Sequence, residues 1–333
     1  MALTFSQNSG LNDDFWKPVG QVLKSVMEDT DTEKTQYDKL VSDVANVEKS
    51  KKYAEKAAGI TSTGSYKIVD EGDAPEQDEI QETFPKLIVH KQFMDQISCT
   101  QQMREDNDIN VMKTMARNLV LGYKRTRAEL VTKAIATEGK KFSIGGRELD
   151  RTTGDGEALF STAHKGVKAG VADQSNVFTN AFGNDATMLG RLANIGRNFI
   201  NDSGIVQGYT FDTIIIPGNC YALEDLIKRI IRSDLIVGSS NNDANTQKGL
   251  WNLIVLPTWQ AAEGKNPYII MSSAANKELR GTVLFDRTKL DVRNWVDNST
   301  RNLLWNGRAR MSCGFNNWRH VIMGGADVGT TLS

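Results

Sequence analysis

The chain has 333 residues, with 40 Lys+Arg against 41 Asp+Glu and a net charge of -1. With 39% hydrophobic and 24% charged residues it is apolar enough to bury a core, as one large domain or two ordinary ones, and too apolar to be wholly disordered. No run approaches the roughly 18 apolar residues of a membrane span, and Met1 leads into Thr, Ser, Gln, Asn and Asp without a basic-then-apolar leader, so no signal peptide is expected.

The first 16 residues contain no Lys or Arg, which argues against a polybasic arm that gathers nucleic acid by charge. Cys99, Cys220 and Cys313 are far apart and odd in number, so they form no disulfide framework and point to a reducing compartment. Residues 1–30 read as an irregular arm with one short helix near 18–27, Pro18 fitting its first turn. Residues 31–58 favour helix by propensity. Only Leu40, Val41, Val44 and Val47 offer an apolar face there, however, and residues 49–56 bury little.

Residues 59–82 carry turn formers such as Gly64, Gly72 and Pro75. Between 70 and 82 stand seven acids, Asp70, Glu71, Asp73, Glu76, Asp78, Glu79 and Glu82, and no base. By itself this is a solvated acidic loop. Beyond it Leu87, Val89, Phe93, Ile97 and Cys99 alternate with His90, Gln92, Gln96 and Ser98, the period of a half-buried strand. Residues 48–99 therefore suggest a hairpin-like extension with an acidic tip, one that cannot bury itself and must rest on something else.

The strongest helix follows. Asp106, Asn107 and Asp108 offer a cap and favourable charge. Met112, Met115, Ala116, Leu119, Tyr123, Leu130 and Ala134 recur at three- and four-residue spacing, predicting a helix over about 109–137. Its polar face is basic, with Lys113, Arg117, Lys124, Arg125, Arg127 and Lys133 against Glu129. After it, Gly145-Gly146 between Phe142, Ile144 and Leu149 predicts a small hairpin. An α/β stretch comes next. One helix is marked by Met188, Leu192, Ile195 and Phe199 with Asn184 as cap, and a second, capped by Asn219, by Leu223, Leu226, Ile227, Ile230 and Ile231. Strands are expected at 211–216, 253–256 and 268–271. The chain closes with strands at 283–285, 290–296, 305–315 and 318–323, which pack back on the long helix to cover its apolar face.

Catalytic chemistry is scarce. His90, His164 and His320 have no His or Cys at ligand spacing, so no metal is expected; His90 is placed on the polar side of its strand and His320 in the closing strand. Ser161 lies near His164, but no G-x-S-x-G elbow surrounds it, and a turn that fixes a loop is the plainer reading. There is no phosphate-loop or dinucleotide fingerprint, and the acidic run lacks EF-hand spacing. No cofactor is expected. A chain of this size with so few catalytic groups points to a structural or binding role rather than an enzyme.

The segment Gly154-Asp155-Gly156-Glu157-Ala158-Leu159-Phe160-Ser161-Thr162-Ala163-His164, with Ser175-Asn176 after it, resembles the major capsid proteins of tailed bacteriophages, closest to the Mu-like major head subunit group. Met115-Ala116-Arg117-Asn118-Leu119 and Arg125-Thr126-Arg127-Ala128-Glu129 of the long helix, the Gly72-Asp73-Ala74-Pro75-Glu76 loop and His90-Lys91 are similar to that group too. The resemblance covers about residues 48–176. It implies an α+β HK97-like capsid fold: an N-terminal arm (1–47), an extended E-loop hairpin (48–98), a P-domain (99–184 and 286–333) with its spine helix at about 109–137, and an α/β A-domain (185–285). It also makes an E-loop strand, not helix, the expectation for residues 49–58. No N-terminal scaffolding domain for removal is expected, and nothing identifies a Lys–Asn crosslink pair.

The resemblance implies a chain that assembles with copies of itself, as pentamers and hexamers, into an icosahedral phage head around double-stranded DNA. The head would form in the host bacterial cytoplasm, away from membranes. Portal and scaffolding proteins, and decoration proteins as a further class, are the implied partners, and contact with packaged DNA would be weak and non-specific. Asp70, Glu71, Asp73, Glu76, Asp78 and Glu79 would meet a basic surface of a neighbouring copy, with Arg117, Lys124 and Arg127 as the receiving side chains. The alternatives are an encapsulin-type nanocompartment shell and, of a different class, a serine hydrolase using Ser161 and His164.

Overall fold

The computed structural model describes residues 4–5, 14–57, 68–71, 74, 82–168, 170–182, 187–236, 243–327 and 329–331. A short strand, β1 (Thr4–Phe5), precedes helix α1 (Lys17–Thr32). This helix runs past the expected 18–27 because Val19, Leu23, Met27 and Thr30 continue one buried stripe, and Pro18 sits in its first turn. Helix α2 (Gln36–Val44) starts at a reciprocal Thr35–Asp38 capping box, in which the Thr35 N–H donates to Asp38 Oδ2 at 3.1 Å. Helix propensity is obeyed only there. β2 (Asn46–Lys49) and β3 (Ala54–Ala57) follow as strands, since residues with so thin an apolar face cannot cover a helix stripe.

β4 (Lys86–Val89) and β5 (Lys91–Cys99) are two strands, not one, and the break at His90 shifts the alternation. Ile88 is buried and Leu87 is 61% exposed, opposite to the sequence expectation, and His90 is itself buried. A short helix, α3 (Gln101–Glu105), is capped by the Thr100 hydroxyl, which accepts the Met103 N–H at 3.2 Å. Asn107 then takes a φ of 59°, a left-handed turn that asparagine tolerates, and α4 (Ile109–Ala136) begins. Its 28 residues span roughly 42 Å.

β6 (Lys141–Ile144) and β7 (Arg147–Asp150) form the expected hairpin, with Gly145 at φ 56° and Gly146 at φ 73°. α5 (Thr187–Arg197), β8 (Thr213–Pro217), α6 (Tyr221–Arg232), β9 (Asn252–Leu256), β10 (Tyr268–Met271) and α7 (Ser273–Glu278) follow in that order. The proposed cap Asn184 lies outside the described residues. Asn219 does not cap α6: Cys220 holds that position, and the Asn219 amide instead donates to the Ala261 carbonyl at 2.8 Å and accepts the Ala261 N–H at 2.9 Å. The closing strands are β11 (Thr282–Val296), one unbroken strand across both predicted pieces, β12 (Leu303–Phe315) and β13 (Val321–Gly324).

The fold separates into two compact units. The first holds residues up to 55, 89–131 and 284–313. Its sheet runs β1-β11-β12-β5, with β2 also on β11. β5 lies antiparallel to β12, from Cys99 opposite Leu303 to Lys91 opposite Met311. Leu23 and Met27 of α1 and Met112, Ala116, Leu119 and Val120 of α4 pack with Leu290, Val292, Leu303 and Trp305 of the sheet, as the apolar face of the long helix required. A Cβ on Gly307 would stand 3.1 Å from Leu290 Cδ1 and 3.5 Å from Leu119 Cδ1; its absence lets α4 approach the sheet.

The second unit holds residues 56–88, 132–283 and 314 onward. Its sheet runs β13-β10-β8-β9, with β8 and β9 parallel and the other pairs antiparallel. Every residue of β8, β10 and β13 is buried. Residues 284–313 belong to the first unit, and the wholly apolar β13 belongs to the second, where it pairs with β10.

Candidate functional site

The three basic side chains singled out on α4 have different surroundings. Arg117 Nη2 meets Glu33 Oε2 at 3.0 Å in an exposed pair. Lys124 is buried: its ammonium donates to the carbonyl oxygens of Asp31, at 3.0 Å, and of Glu33, and pairs with the Asp38 carboxylate at 3.1 Å. Arg127 is also buried, with Nη2 at 2.7 Å from Asp286 Oδ2 and Nη1 at 4.0 Å from Asp38. Burial raises the Asp38 carboxyl, but hydrogen bonds from Thr35 and Lys124 outweigh it and hold it below its ordinary value. For Asp286 burial prevails over the pull of Arg127, and the carboxyl lies above its ordinary value. Lys124 and Arg127 thus tie α2 and β11 to the helix within one chain, and Arg117 is the one of the three that faces solvent. Periodicity placed all three on the polar face. It carried no signal for the burial of two of them, because Asp38 and Asp286 are remote in sequence.

Asp70 and Glu71 are exposed. Asp73, Glu76, Asp78 and Glu79 lie outside the described residues. Glu82 pairs with Lys56.

The Gly154–His164 motif builds a buried polar network in the second unit. Gly154 is required because a Cβ there would stand 2.8 Å from the Phe84 carbonyl oxygen, and Gly156 has a φ of 79°. Asp155 accepts from the Thr153 hydroxyl and meets His164 Nδ1 at 2.7 Å. Burial raises the Asp155 carboxyl, yet the bonds to His164 and Thr153 hold it below its ordinary value. His164 Nε2 lies 3.2 Å from Asn176 Oδ1, which also accepts the Ser161 N–H at 3.0 Å. The Asn176 amide donates to the carbonyls of Leu159, at 2.8 Å, and Val321, at 3.2 Å. The imidazole stacks on Trp318 at 4.3 Å between ring centres. Beside it Arg319 pairs with Asp202 at 3.0 Å.

The hydrolase alternative calls for a different arrangement of these side chains. Nucleophile activation needs the serine hydroxyl on the imidazole, but His164 spends both ring nitrogens on Asp155 and Asn176. Ser161 Oγ accepts the Ala163 N–H at 3.3 Å, the turn-fixing role that was the plainer reading. Asn176, which stands in the quoted motif, joins the two ends of this network.

His90 is buried among hydroxyls. Nδ1 lies 2.8 Å from Ser312 Oγ and Nε2 2.8 Å from Ser50 Oγ, and Ser50 in turn donates to Glu55 Oε1 at 2.7 Å. Burial lowers its pKa, against the pull of Glu55. His320 precedes β13, wholly buried with Nε2 2.8 Å from Thr282 Oγ1, and burial lowers it to about 3. All three cysteines are free and buried, and burial pushes the Cys99 thiol up to about 11. Among the described residues there is no cluster of three potential metal ligands, and no helix is long and apolar enough to cross a membrane.

No family profile and no curated protein sequence matches the chain. Solved structures do. The capsid of a native GTA particle computed with C5 symmetry superposes with a TM-score of 0.55 and 9% identity, over 88% of this chain and 91% of that one. The capsid of an empty GTA particle gives 0.52 and 10% identity, over 85% and 88%. A chain from Mycobacterium phage Patience gives 0.53 and 11% identity, over 94% and 86%. At such identities the likeness is one of fold, and this mixed helix-and-strand chain has the HK97-like fold of phage capsid proteins.

Proposed function

We propose that the chain is the major capsid protein of a tailed bacteriophage of the Mu-like head group, and that copies of it assemble as pentamers and hexamers into an icosahedral head around double-stranded DNA. The observation that carries this reading is the fold likeness to a capsid over 88% of the chain. In this reading residues 1–47 are the arm, 48–98 the E-loop, 99–184 and 286–333 the P-domain, and 185–285 the A-domain. Portal, scaffolding and decoration proteins complete a head formed in the host bacterial cytoplasm.

Contact between copies draws most of its strength from apolar burial, at about 25 cal/mol per Å². The acidic segment that contains Asp70 and Glu71 meets the basic face of a neighbouring copy's long helix, where Arg117 and Arg125 are exposed. Exposed ion pairs are each worth about 0–1 kcal/mol, so this contact sets register more than strength. The test is to purify the chain, with and without scaffolding protein, and examine it by sedimentation and electron microscopy. Shells that hold DNA support the reading. Protein that stays monomeric at high concentration refutes it, and shells loaded with a protein cargo favour the nanocompartment instead.

A further inference from the structure

Strand alternation sends Leu290 and Val292 of β11 and Trp305, Ala309 and Met311 of β12 into the core of the first unit. The residues between them lie on the opposite face of the sheet. On β11 these include Arg287, Lys289, Asp291 and Arg293, and on β12 Arg308 and Arg310. Five cations thus share the face with one acid of these strands, Asp291, which pairs with Arg293 at 3.6 Å. Arg287, Lys289, Arg308 and Arg310 are partly exposed and have no ion pair among the described residues. In a chain whose net charge is -1, this is a local concentration of positive charge. It sits on the sheet rather than on the helix where periodicity alone directs attention.

Two further features bear on what such a face would hold. Residues two apart on an antiparallel strand repeat at about 6.8 Å, and each strand of duplex DNA carries a phosphate about every 3.4 Å of axis. Arg308 with Arg310, and Arg287 with Lys289, therefore recur at a regular interval along their strands. Neutral amides stand among the cations: Gln92 is opposite Arg310, Gln96 is opposite Asn306, and Arg308 Nε donates to Gln92 Oε1 at 3.1 Å. Such side chains contact phosphate and sugar without reading sequence. An evenly repeated cationic sheet suits a uniform polyanion. The acidic segment of a second copy, with its carboxylates irregularly spaced around Gly72 and Pro75, suits it less well.

We infer that this sheet face is a binding surface for the phosphodiester backbone of double-stranded DNA, without sequence preference. The inference rests on the reading of the chain as a DNA-enclosing shell subunit and names the surface that DNA touches.

The test titrates the full-length chain with a labelled short duplex of mixed sequence across a range of NaCl concentrations. Neutralising one phosphate contributes about 0.9 to the log–log salt slope, so the four cations without an ion pair predict a slope of about -3.6. Arg308→Gln with Arg310→Gln makes it shallower by about 1.8, and Arg232→Gln on the exposed side of α6 leaves it unchanged. If that pair fails to fold, as judged by thermal melting, Lys289→Gln on the neighbouring strand takes its place, with a loss of about 0.9. No duplex binding at low salt, or an undiminished slope in the folded variants, overturns the inference. So does binding of a synthetic peptide of residues 68–82 to the same side chains when the duplex does not bind, which assigns the face to a second copy. Shell formation is scored separately by electron microscopy. Assembly without duplex binding removes the DNA surface and leaves the capsid reading, while binding without assembly does the reverse.

Discussion

Replacing Arg127 with methionine removes the guanidinium that faces Asp286 at 2.7 Å, in a pair whose side chains are 8% and 1% exposed. Methionine keeps much of the stem's volume, so the loss is chiefly electrostatic. The Asp286 carboxyl must then stay charged in the core without its main partner or take up a proton. Removing one member of a buried pair costs about 3–5 kcal/mol. At roughly 2–4 °C per kcal/mol this lowers the melting temperature by about 6–20 °C. Arg117→Met is the control, because its pair with Glu33 is 52% and 53% exposed and such pairs are worth about 0–1 kcal/mol. The pH dependence follows from the raised Asp286 carboxyl. The folded chain holds that proton more tightly than the unfolded chain, so stability falls as pH rises from the ordinary carboxylate value through the folded one. Loss of Arg127 extends that window upward, so the deficit of Arg127→Met is greatest at neutral pH and shrinks on acidification. Calorimetry of the full chain at two pH values measures both effects. Arg127→Met with Asp286→Leu should recover most of the loss, because both charges leave the core together. Equal melting points for the Arg117 and Arg127 variants, or a double variant no better than the single one, would refute the reasoning.

Other expectations follow from single buried groups. His320 is lowered from 6.5 to about 3, so the unfolded chain takes the proton first and stability is lost as pH falls between those values, by up to roughly 1.4 kcal/mol per pH unit. His320→Gln should flatten the acid limb of the melting-temperature profile by that slope, and an unaltered limb would contradict a buried neutral ring. Asn294 is buried with neither Oδ1 nor Nδ2 partnered among the described residues; Asn294→Val should stabilise the chain by about 1–2 kcal/mol in urea unfolding, and destabilisation would count against this. Asp155→Asn should cost about 1.5–3 kcal/mol through its bond to His164, while Ser161→Ala should cost no more than about 1 kcal/mol. Labelling of Ser161 by a serine-reactive probe would speak against its purely structural role.

Elements whose partners lie close in sequence were the legible ones. The α4 stripe, the Gly145-Gly146 hairpin and the α/β alternation through Met271 are each decided by local periodicity or turn chemistry, and the structure reproduces them. Helix propensity misled at residues 46–57, where an apolar stripe too thin to bury gives way to strands. The phase of β4 was misjudged because a single interruption at His90 exchanges the two faces of a strand.

The sequence by itself determined the helix and strand types of the long periodic segments and the glycine turn between Ile144 and Arg147. Tertiary structure alone decided how the charges are used. Lys124, Arg127 and Arg117 look alike in sequence and each meets a carboxylate more than 80 residues away, yet the first two are buried with theirs while the third pairs in solvent. The cations of β11 and β12 become one face only when the two strands pair. The physical reason is that periodicity fixes which side of an element a residue occupies, whereas the energy of a charge depends on what the rest of the chain brings against that side.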